Sequence, residues 1–598
     1  MSIVTLRKIT LVALAKEKTE VLSELQRLGC VHLVPLRPES EAPEQEASAR
    51  PEEWTQAIKH LRASGRRRRQ VLHEPDFDVH DIVARVLDNK QRIRDAVDQR
   101  DMLMRRIHDR EPWGDFEFPA EDDLGGYRFW FYILPHGKKA ALADLAVPWE
   151  IVHEDNLSAY VLVISKTEPP AALLPVPRVH TGPESLRRLR EHLEETEIEL
   201  DGLKAERDAL TRWIFLLEQN IASAEDAASL RYAHGITLDD EALFAVQGWA
   251  PLESVGKLEA YSAKRKLGLL VEKPTAADRP PTLLDNVEPL AGGADLVSFY
   301  QTPAYSSWDP SRIVLFSFAL FFAMILGDAG YAALLGGLLL AFWKSMGASE
   351  LGRRMRSMSA IIVTLSVVYG VLAGSYFGVT PGEDSWLRPL KVLSLDDFDT
   401  MIRLSVIIGA AHVALANSVQ AMNLPTWQAR VVPLSWNAVI AGSLLLWLFG
   451  DVAALSVISI GLIASGAIGV LGFGSLRKVE TAKDLVLRIA GGLLSLTNVT
   501  KVFGDVLSYL RLFALGLASA SLAITFNQLA ADVAAAAPGA GLLFKILILL
   551  LGHSLNLALA IISGVVHGLR LNFIEFFNWG MAEEGYPFRP FHKKEIEL

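Results

Sequence analysis

Hydrophobic residues along this chain change their spacing near residue 312. Before that point they alternate, or recur every three to four positions, among charged residues. After it they run in blocks, at about 312–327, 329–343, 358–380, 401–421, 432–450, 453–474, 485–532 and 541–578. Such blocks predict membrane-spanning helices, because about 20 apolar residues cross a hydrocarbon layer about 30 Å thick. The first two blocks are short and separated only by Gly327, Asp328, Ala329 and Gly330, which makes them either a tight hairpin or one kinked span. Loop charges favour the hairpin. With eight spans, the connection carrying Lys344, Arg353, Arg354 and Arg356, that carrying Arg477, Lys478 and Lys483, and the tail carrying Lys593 and Lys594 all fall on the side of both termini. The positive excess assigns that side to the cytoplasm.

The last two blocks are too long for ordinary spans. As one helix, 485–532 would be roughly 70 Å long, and no proline interrupts it. It stays within the hydrocarbon only if tilted by roughly 60°. Two continuous, strongly tilted C-terminal helices are therefore expected, bringing Arg511 (in SYLRLFALGLASASLA) close to Arg570 (in VVHGLRLNFIEFF). An arginine keeps its proton at any physiological pH, and at the bilayer centre it costs from roughly 3 to above 10 kcal/mol depending on the scale used. Helical phase aligns polar residues with each of them. His553, Asn556, Ser563, His567 and Arg570 share one stripe, with Ala560 at the missing step, and Asn498, Lys501, Asp505, Ser508 and Arg511 share another. A stripe ending in an arginine on each of two adjacent helices points to an ion path. A lone serine or asparagine would read as helix-to-helix bonding.

The first half predicts small α/β lobes joined by a rod. Residues 1–36 read strand, helix, strand; 127–166 repeat the pattern with YRFWFYILP, a helix and AYVLVIS; ALFAVQGWAP, a helix and GLLVEKP follow at 242–274. Lobe boundaries are set at about 1–50, 113–180 and 236–295. Between them, Val79, Val83, Val86, Ile93, Val97, Met104 and Ile107 recur at helical spacing, as do Leu186, Leu189, Leu193, Leu200, Leu203, Leu210, Ile214 and Leu217. This predicts an antiparallel two-helix coiled coil pairing about 52–112 with 183–232. An ordinary helical hairpin packed on a globular domain is the plainer alternative. The division is then 1–311, an α+β water-soluble arm, and 312–598, an all-α eight-helix transmembrane domain.

Composition narrows the function. The net charge of −10 gives no reason to expect nucleic acid, and the basic run Arg66–Arg69 reads as a solvated helix end. The single cysteine, Cys30, has no disulfide partner within the chain and reads as a small core residue. The apolar run at the N-terminus is closed by Lys16, Glu17 and Lys18 and reads as a buried strand, not a leader. No phosphate-binding GxxxxGK[ST] motif occurs, and no metal, cofactor or catalytic residue set is expected. A secondary transporter would also explain intramembrane charge but predicts internal repeats. A purely structural membrane scaffold explains the rod but leaves both arginines without a role.

Taken in order, LGCVHLVPL, the rod, AVQGWAP, PPTLLDN, FFAMILGDAGYAALL, GVLAGSYFG, SYLRLFALGLA, GHSLNLAL, VVHGLRLNFIEFF and YPFRPF resemble subunit a, also called subunit I, of V-type and archaeal-type rotary ATPases, over almost the whole chain. Its length resembles the prokaryotic members, which implies a prokaryotic inner membrane. The resemblance implies a stator clasping the rotating c ring of proteolipid subunits, with two offset half-channels separated by an essential arginine at Arg511 and a second at Arg570. It also implies docking on peripheral-stalk E/G-type subunits and a central-stalk collar subunit, in contact with membrane lipid. His567 matches a family histidine. Ser519 and Ala560 stand where eukaryotic members have histidine and glutamate, so H⁺ and Na⁺ both stay open, and Ala560→Glu is expected to be tolerated. Asp328 reads as a structural turn residue or a shaper of the external channel, and His412 as a proton relay or an interhelical bond. Glu575 reads as an internal-channel group or an interfacial charge.

Overall fold

The computed structural model describes residues 3–36, 52–117, 124–143, 145–170, 174–182, 184–275, 277–394, 397–475, 477, 481–536, 539, 541–581 and 583–594. Lys478 of a basic loop, Pro183 of the rod, 37–50 of the first lobe, 118–123, 144 and 171–173 of the second and 276 of the third lie outside the described residues. The chain divides into two compact units: Met1–Ala15, Cys30–Leu36 and Asp239–Pro590 in one; Lys16–Gly29, Arg37–Leu238 and Phe591–Leu598 in the other.

The second unit contains the helical rod. Asp78 caps the helix Val79–Arg110 by accepting from His80 N–H at 2.8 Å, and Ser185 caps Leu186–Leu210. The two helices run antiparallel. Asn89 donates to the Leu203 carbonyl at 3.0 Å, Arg92 pairs with Glu199 and Arg106 with Glu184, so partner numbers fall as position rises. Their seam is apolar, with Ala96 against Leu200 and Leu203. The first side of the rod, expected as one helix over 52–112, is two: Glu52–Arg62 and Val79–Arg110. Gly65 and Pro75 bracket the gap, and Arg66–Arg69 lie exposed in it, beyond the helix end. Glu52–Arg62 packs Ala57, Ile58 and Leu61 against Val83 and Leu217, so this end holds three helices. A four-stranded antiparallel sheet follows the same logic of alternation, burying Trp130, Tyr132 and Leu134 against Ala159, Val161 and Val163. Where a helix was expected after YRFWFYILP, the chain makes a 3₁₀ turn at His136–Leu142 and then an additional strand, Trp149–Glu154. That strand forms a hairpin with Ser158–Ser165, closed by Asp155 accepting from the Leu157 and Ser158 amides.

In the first unit, segments read as separate lobes share one antiparallel sheet: His32–Val34 and Leu6–Leu14 flank Leu243–Pro251, and Gly268–Glu272 pairs on the far side of Leu6–Leu14. The C-terminal tail joins this unit as a strap. Thr282 N–H donates to the Tyr586 carbonyl at 2.8 Å, and Phe588 N–H to the Thr282 carbonyl at 3.0 Å. Arg589 N–H donates to His32 Nδ1 at 2.9 Å, and the imidazole makes tilted contacts with the Tyr586 and Phe588 rings. Burial, with the neighbouring Arg589 charge adding to it, pushes His32 down from 6.5 to about 4. Since the folded value lies below the unfolded one, the contribution is full above about 6.5 and is lost as pH falls to about 4. Amide exchange at Arg589, corrected for intrinsic rate, is expected to lose protection across that window. In His32→Asn, which keeps an acceptor that does not titrate, protection is expected to hold to lower pH.

The helical half begins with Ser311–Leu326, ended by Gly327 at φ +61°, and Ala329–Ala341, capped by Asp328. Among the described residues, six further helices are long and apolar enough to cross a membrane: Glu350–Ala373, Phe398–Asn423, Trp427–Phe449, Ala453–Phe473, Ala482–Ala536 and Gly541–Gly580. Trp308 Nε1–H donates to the Gly580 carbonyl at 2.9 Å, so the chain enters and leaves the helical half at one place. The core gathers around Phe321, Met324, Val413, Tyr509, Leu512 and Phe576.

The two long segments are not uninterrupted. The first consists of Ala482–Leu496, Val499–Leu507 and Leu510–Ala536, joined by tight turns at Thr497–Asn498 and Ser508–Tyr509. No proline causes these breaks. The Thr497, Thr500 and Ser508 hydroxyls bond back to carbonyls three or four residues earlier, competing with the helical ladder. The second runs as α-helix from Gly541 to Arg570, then widens into a π-helical stretch over Leu571–Phe576. Close approach of helices depends on Gly516, where a Cβ would lie 2.6 Å from the Met324 carbonyl oxygen. Gly516→Val is expected to force these helices apart at about 1–3 kcal/mol, read as a lower thermal midpoint in detergent.

Candidate functional site

Asp328 anchors the first cluster. Its carboxylate is buried and accepts four hydrogen bonds: from Tyr331 N–H at 3.0 Å, Phe377 N–H at 2.9 Å, Gly378 N–H at 2.9 Å and Ser375 Oγ–H at 2.6 Å. Each oxygen takes two donors, so Asp328 welds the start of its helix to the Ser375–Gly378 turn. Both features came from apolar motifs, GDAGYAALL and GVLAGSYFG, and their junction accounts for the polar residue in each.

Next to it lies a chain of side-chain bonds. Tyr331 OH meets His553 Nδ1 at 2.6 Å; His553 Nε2 meets Asn527 Oδ1 at 3.1 Å; Asn527 Nδ2 donates to the Phe377 carbonyl at 2.8 Å. Asn556 Nδ2 donates to Tyr331 OH at 3.1 Å and to the Ser519 carbonyl at 2.9 Å, while Ser519 Oγ–H reaches Asn556 Oδ1 at 3.4 Å. His553, Asn556 and Ser519 are thus brought together, at a contact between the helices Ala329–Ala341, Leu510–Ala536 and Gly541–Arg570. Ala560, one turn on from Asn556, is buried among Phe318, Phe322 and Tyr331. A glutamate there would be enclosed by apolar groups, so the tolerance of Ala560→Glu expected from sequence no longer follows.

His412 lies apart from that cluster. Its Nδ1 meets Tyr509 OH at 2.7 Å, and Phe576 stacks on its ring at 4.4 Å. This is the interhelical bond weighed against the relay.

Arg511 follows directly on the turn at Ser508–Tyr509, and Arg570 ends the α-helical part of its segment just before the π stretch. Both therefore sit at irregular backbone, not at mid-helix as the continuous-helix expectation had it. Arg511 is partly buried, and among the described residues its Nη1 has no hydrogen-bond partner. Arg570 is exposed. His567 and Glu575 each lie within electrostatic reach of both arginines, which gathers four predicted residues around one locus. His567 Nδ1 and Glu575 Oε2 are also buried without a partner among the described residues. Ser508 adjoins Glu575, although its hydroxyl bonds back to the Gly504 carbonyl at 3.0 Å. Asp505 accepts from Trp579 Nε1–H at 2.7 Å, and Lys501 Nζ lies 5.1 Å over the same indole. The arrangement is a permanent cation with unfilled bonding capacity, bordered by a histidine and a carboxylate, on a helix whose far side is apolar.

No protein-family model matches the chain. Among curated proteins, V-type ATP synthase subunit I of Chlamydia pneumoniae is 31% identical over 422 residues, covering 60% of this chain and 62% of that protein. V-type ATP synthase subunit I of Borreliella burgdorferi is 25% identical over 614 residues, covering 99% of each. The chain is similar to subunit I of V/A-type ATP synthases, in two of these relatives over nearly its whole length. A solved cytoplasmic N-terminal domain of subunit I, homolog of subunit a, of V-ATPase is 17% identical over 44% of this chain and 99% of that one, with a TM-score of 0.21, a likeness too slight to argue from.

Four polar side chains that complete the clusters were not read from the sequence: Tyr331, Asn527, Tyr509 and Trp579. Three are aromatic and were counted with the apolar blocks. Their signal was present, because a phenol or indole buried in a helical core needs a partner for its O–H or N–H.

Proposed function

We propose that this chain is the membrane stator of a rotary V/A-type ATP synthase or ATPase. Arg511 separates two ion half-channels formed against a c ring, and the α/β arm, with its rod as a coiled coil, links the membrane motor to peripheral-stalk E/G-type and central-stalk collar subunits. The observation that carries this reading is Arg511 itself: a guanidinium at membrane depth with a buried, unbonded Nη1 among the described residues. A charge held there needs an anionic partner, and a carboxylate passing on another subunit supplies one. A guanidinium opposite that carboxylate lowers its proton affinity and favours ion release, while its charge bars direct leakage. His567, Arg570, Glu575, Ser508 and Asp505 then belong to the internal path, and His553, Asn556 and Ser519 to the external side, with Asp328 shaping its wall. ATP chemistry is assigned to partner subunits.

Eight spans with both termini in the cytoplasm of a prokaryotic cell fit the geometry at the ends of the helical half. The bond from Trp308 to Gly580 supports an even number of crossings, and with it two short spans at the Gly327–Asp328 turn over one kinked span. Arg353 and Arg354 of the first basic connection pair with Glu288 and Asp295, ahead of the first span, which supports assigning that connection to the same side. The last two segments are assigned a steep tilt from their length. Reconstitution of the complex in vesicles, with ion transport measured against ATP turnover for Arg511 variants, tests this function.

A further inference from the structure

We propose that Tyr509 and His412 form a lock that positions Arg511, an inference resting on the role given to Arg511 above. Between Leu507 and Leu510 the helix tightens: Tyr509 N–H bonds to the Val506 carbonyl at 3.3 Å, Arg511 N–H to Ser508 at 3.3 Å and Leu512 N–H to Tyr509 at 3.0 Å. A three-residue repeat turns each residue by about 120° where an α-helix turns it by about 100°. Two such steps rotate Arg511 by about 40°, which at a helix outer radius of about 5 Å displaces a side chain by about 3 Å. That is the length of a hydrogen bond, so the break decides which groups the guanidinium can meet.

Tyr509 is the residue at the break, and it is held on every side. Its ring is fully buried. It lies over Gly409, where a Cβ would stand 2.8 Å from the ring carbons, and it meets Phe321 edge-on at 5.6 Å. Its hydroxyl meets His412 Nδ1 at 2.7 Å. His412 is clamped in turn by Phe321 at 5.2 Å and by Phe576, stacked at 4.4 Å and 12°. Phe576 ends the π-helical stretch that begins directly after Arg570. The lock therefore joins the backbone just before Arg511 to the backbone just after Arg570, through a helix that carries neither arginine.

Tyr509→Phe keeps the ring and its volume and removes only the hydroxyl. His412→Leu removes its partner, and His412→Asn returns a polar atom at about the place of Nδ1. In the full complex reconstituted in vesicles, ions moved per ATP hydrolysed are expected to fall at least fivefold in Tyr509→Phe and in His412→Leu, with ring association unchanged. His412→Asn is expected to lie within twofold of the parent. Because one bond is removed in either case, the double variant Tyr509→Phe/His412→Leu is expected to be no worse than the poorer single. Normal coupling in Tyr509→Phe overturns the proposal, as do effects that multiply in the double variant. So does loss of assembly in Tyr509→Phe that His412→Asn shares, since that pattern marks core packing. Full coupling in Arg511→Ala would instead sink the functional reading, whereas a dead Arg511→Ala beside a normal Tyr509→Phe sinks only the lock.

Discussion

Replacing Arg511 by alanine is expected to abolish ion-coupled turnover, by at least a hundredfold, while the chain still inserts and assembles. Assembly survives because the helix loses only a desolvated cation, whose burial costs from roughly 3 to above 10 kcal/mol, and Nη1 surrenders no internal hydrogen bond among the described residues. Turnover fails because nothing else at this locus keeps a charge at every pH. His567 and Glu575, its neighbours, both titrate. Arg511→Lys is expected to be severely impaired as well, since a buried ammonium shifts its proton affinity and lacks the planar fork. Arg570→Ala is expected to be milder, in keeping with its exposed side chain. ATP-driven ion uptake into reconstituted vesicles, with ATP hydrolysis followed in parallel, reads the series. Near-normal coupled uptake by the Arg511→Ala complex would sink the mechanism.

Much of this site was legible because bilayers make polar residues conspicuous. Arg511, His567 and Arg570 stood out as charges or near-charges in apolar blocks, and the 3-4 phase put them on common faces. What phase could not supply was the backbone between them. The break at Ser508–Tyr509 has no proline to announce it; it depends on hydroxyl back-bonding and on a tyrosine ring filling the space over Gly409, which is a tertiary event. The polar stripe of the last helix likewise divides between uses. Asn556 turns inward to Ser519 and Tyr331, while Arg570 is exposed, because the glycines at 552, 564 and 568 draw one face of that helix tightly against Phe526, Phe322 and Phe318. In the first half, alternation marked the strands Leu6–Leu14 and Leu243–Pro251 but could not say that they pair, since strand pairing over more than two hundred residues leaves no local trace. The strand Trp149–Glu154 was missed for the opposite reason: mostly exposed, it has little apolar alternation to read.

Removing residues 1–300 is expected to leave a membrane domain that inserts but cannot hold the soluble motor, so coupled transport and ion-driven ATP synthesis both vanish. The argument is mechanical. A stator must resist torque, and the rod supplies stiffness through an apolar seam at Leu200 and Leu203 and cross-pairs such as Asn89 with the Leu203 carbonyl. Truncation also strips the C-terminal tail of its partners, because Thr282 and His32 lie in the deleted part. A second variant separates these effects. Leu200→Asp with Leu203→Asp places two charges in the rod seam, each costing several kcal/mol if it stays buried, and leaves every tail contact in place. It is expected to assemble at rest and to lose coupling, with ATP hydrolysis persisting while ion uptake falls at least tenfold. If the truncated chain built a fully coupled complex, the arm would not be a stator; if only the seam variant stayed coupled, stiffness of the rod would not be how the arm acts.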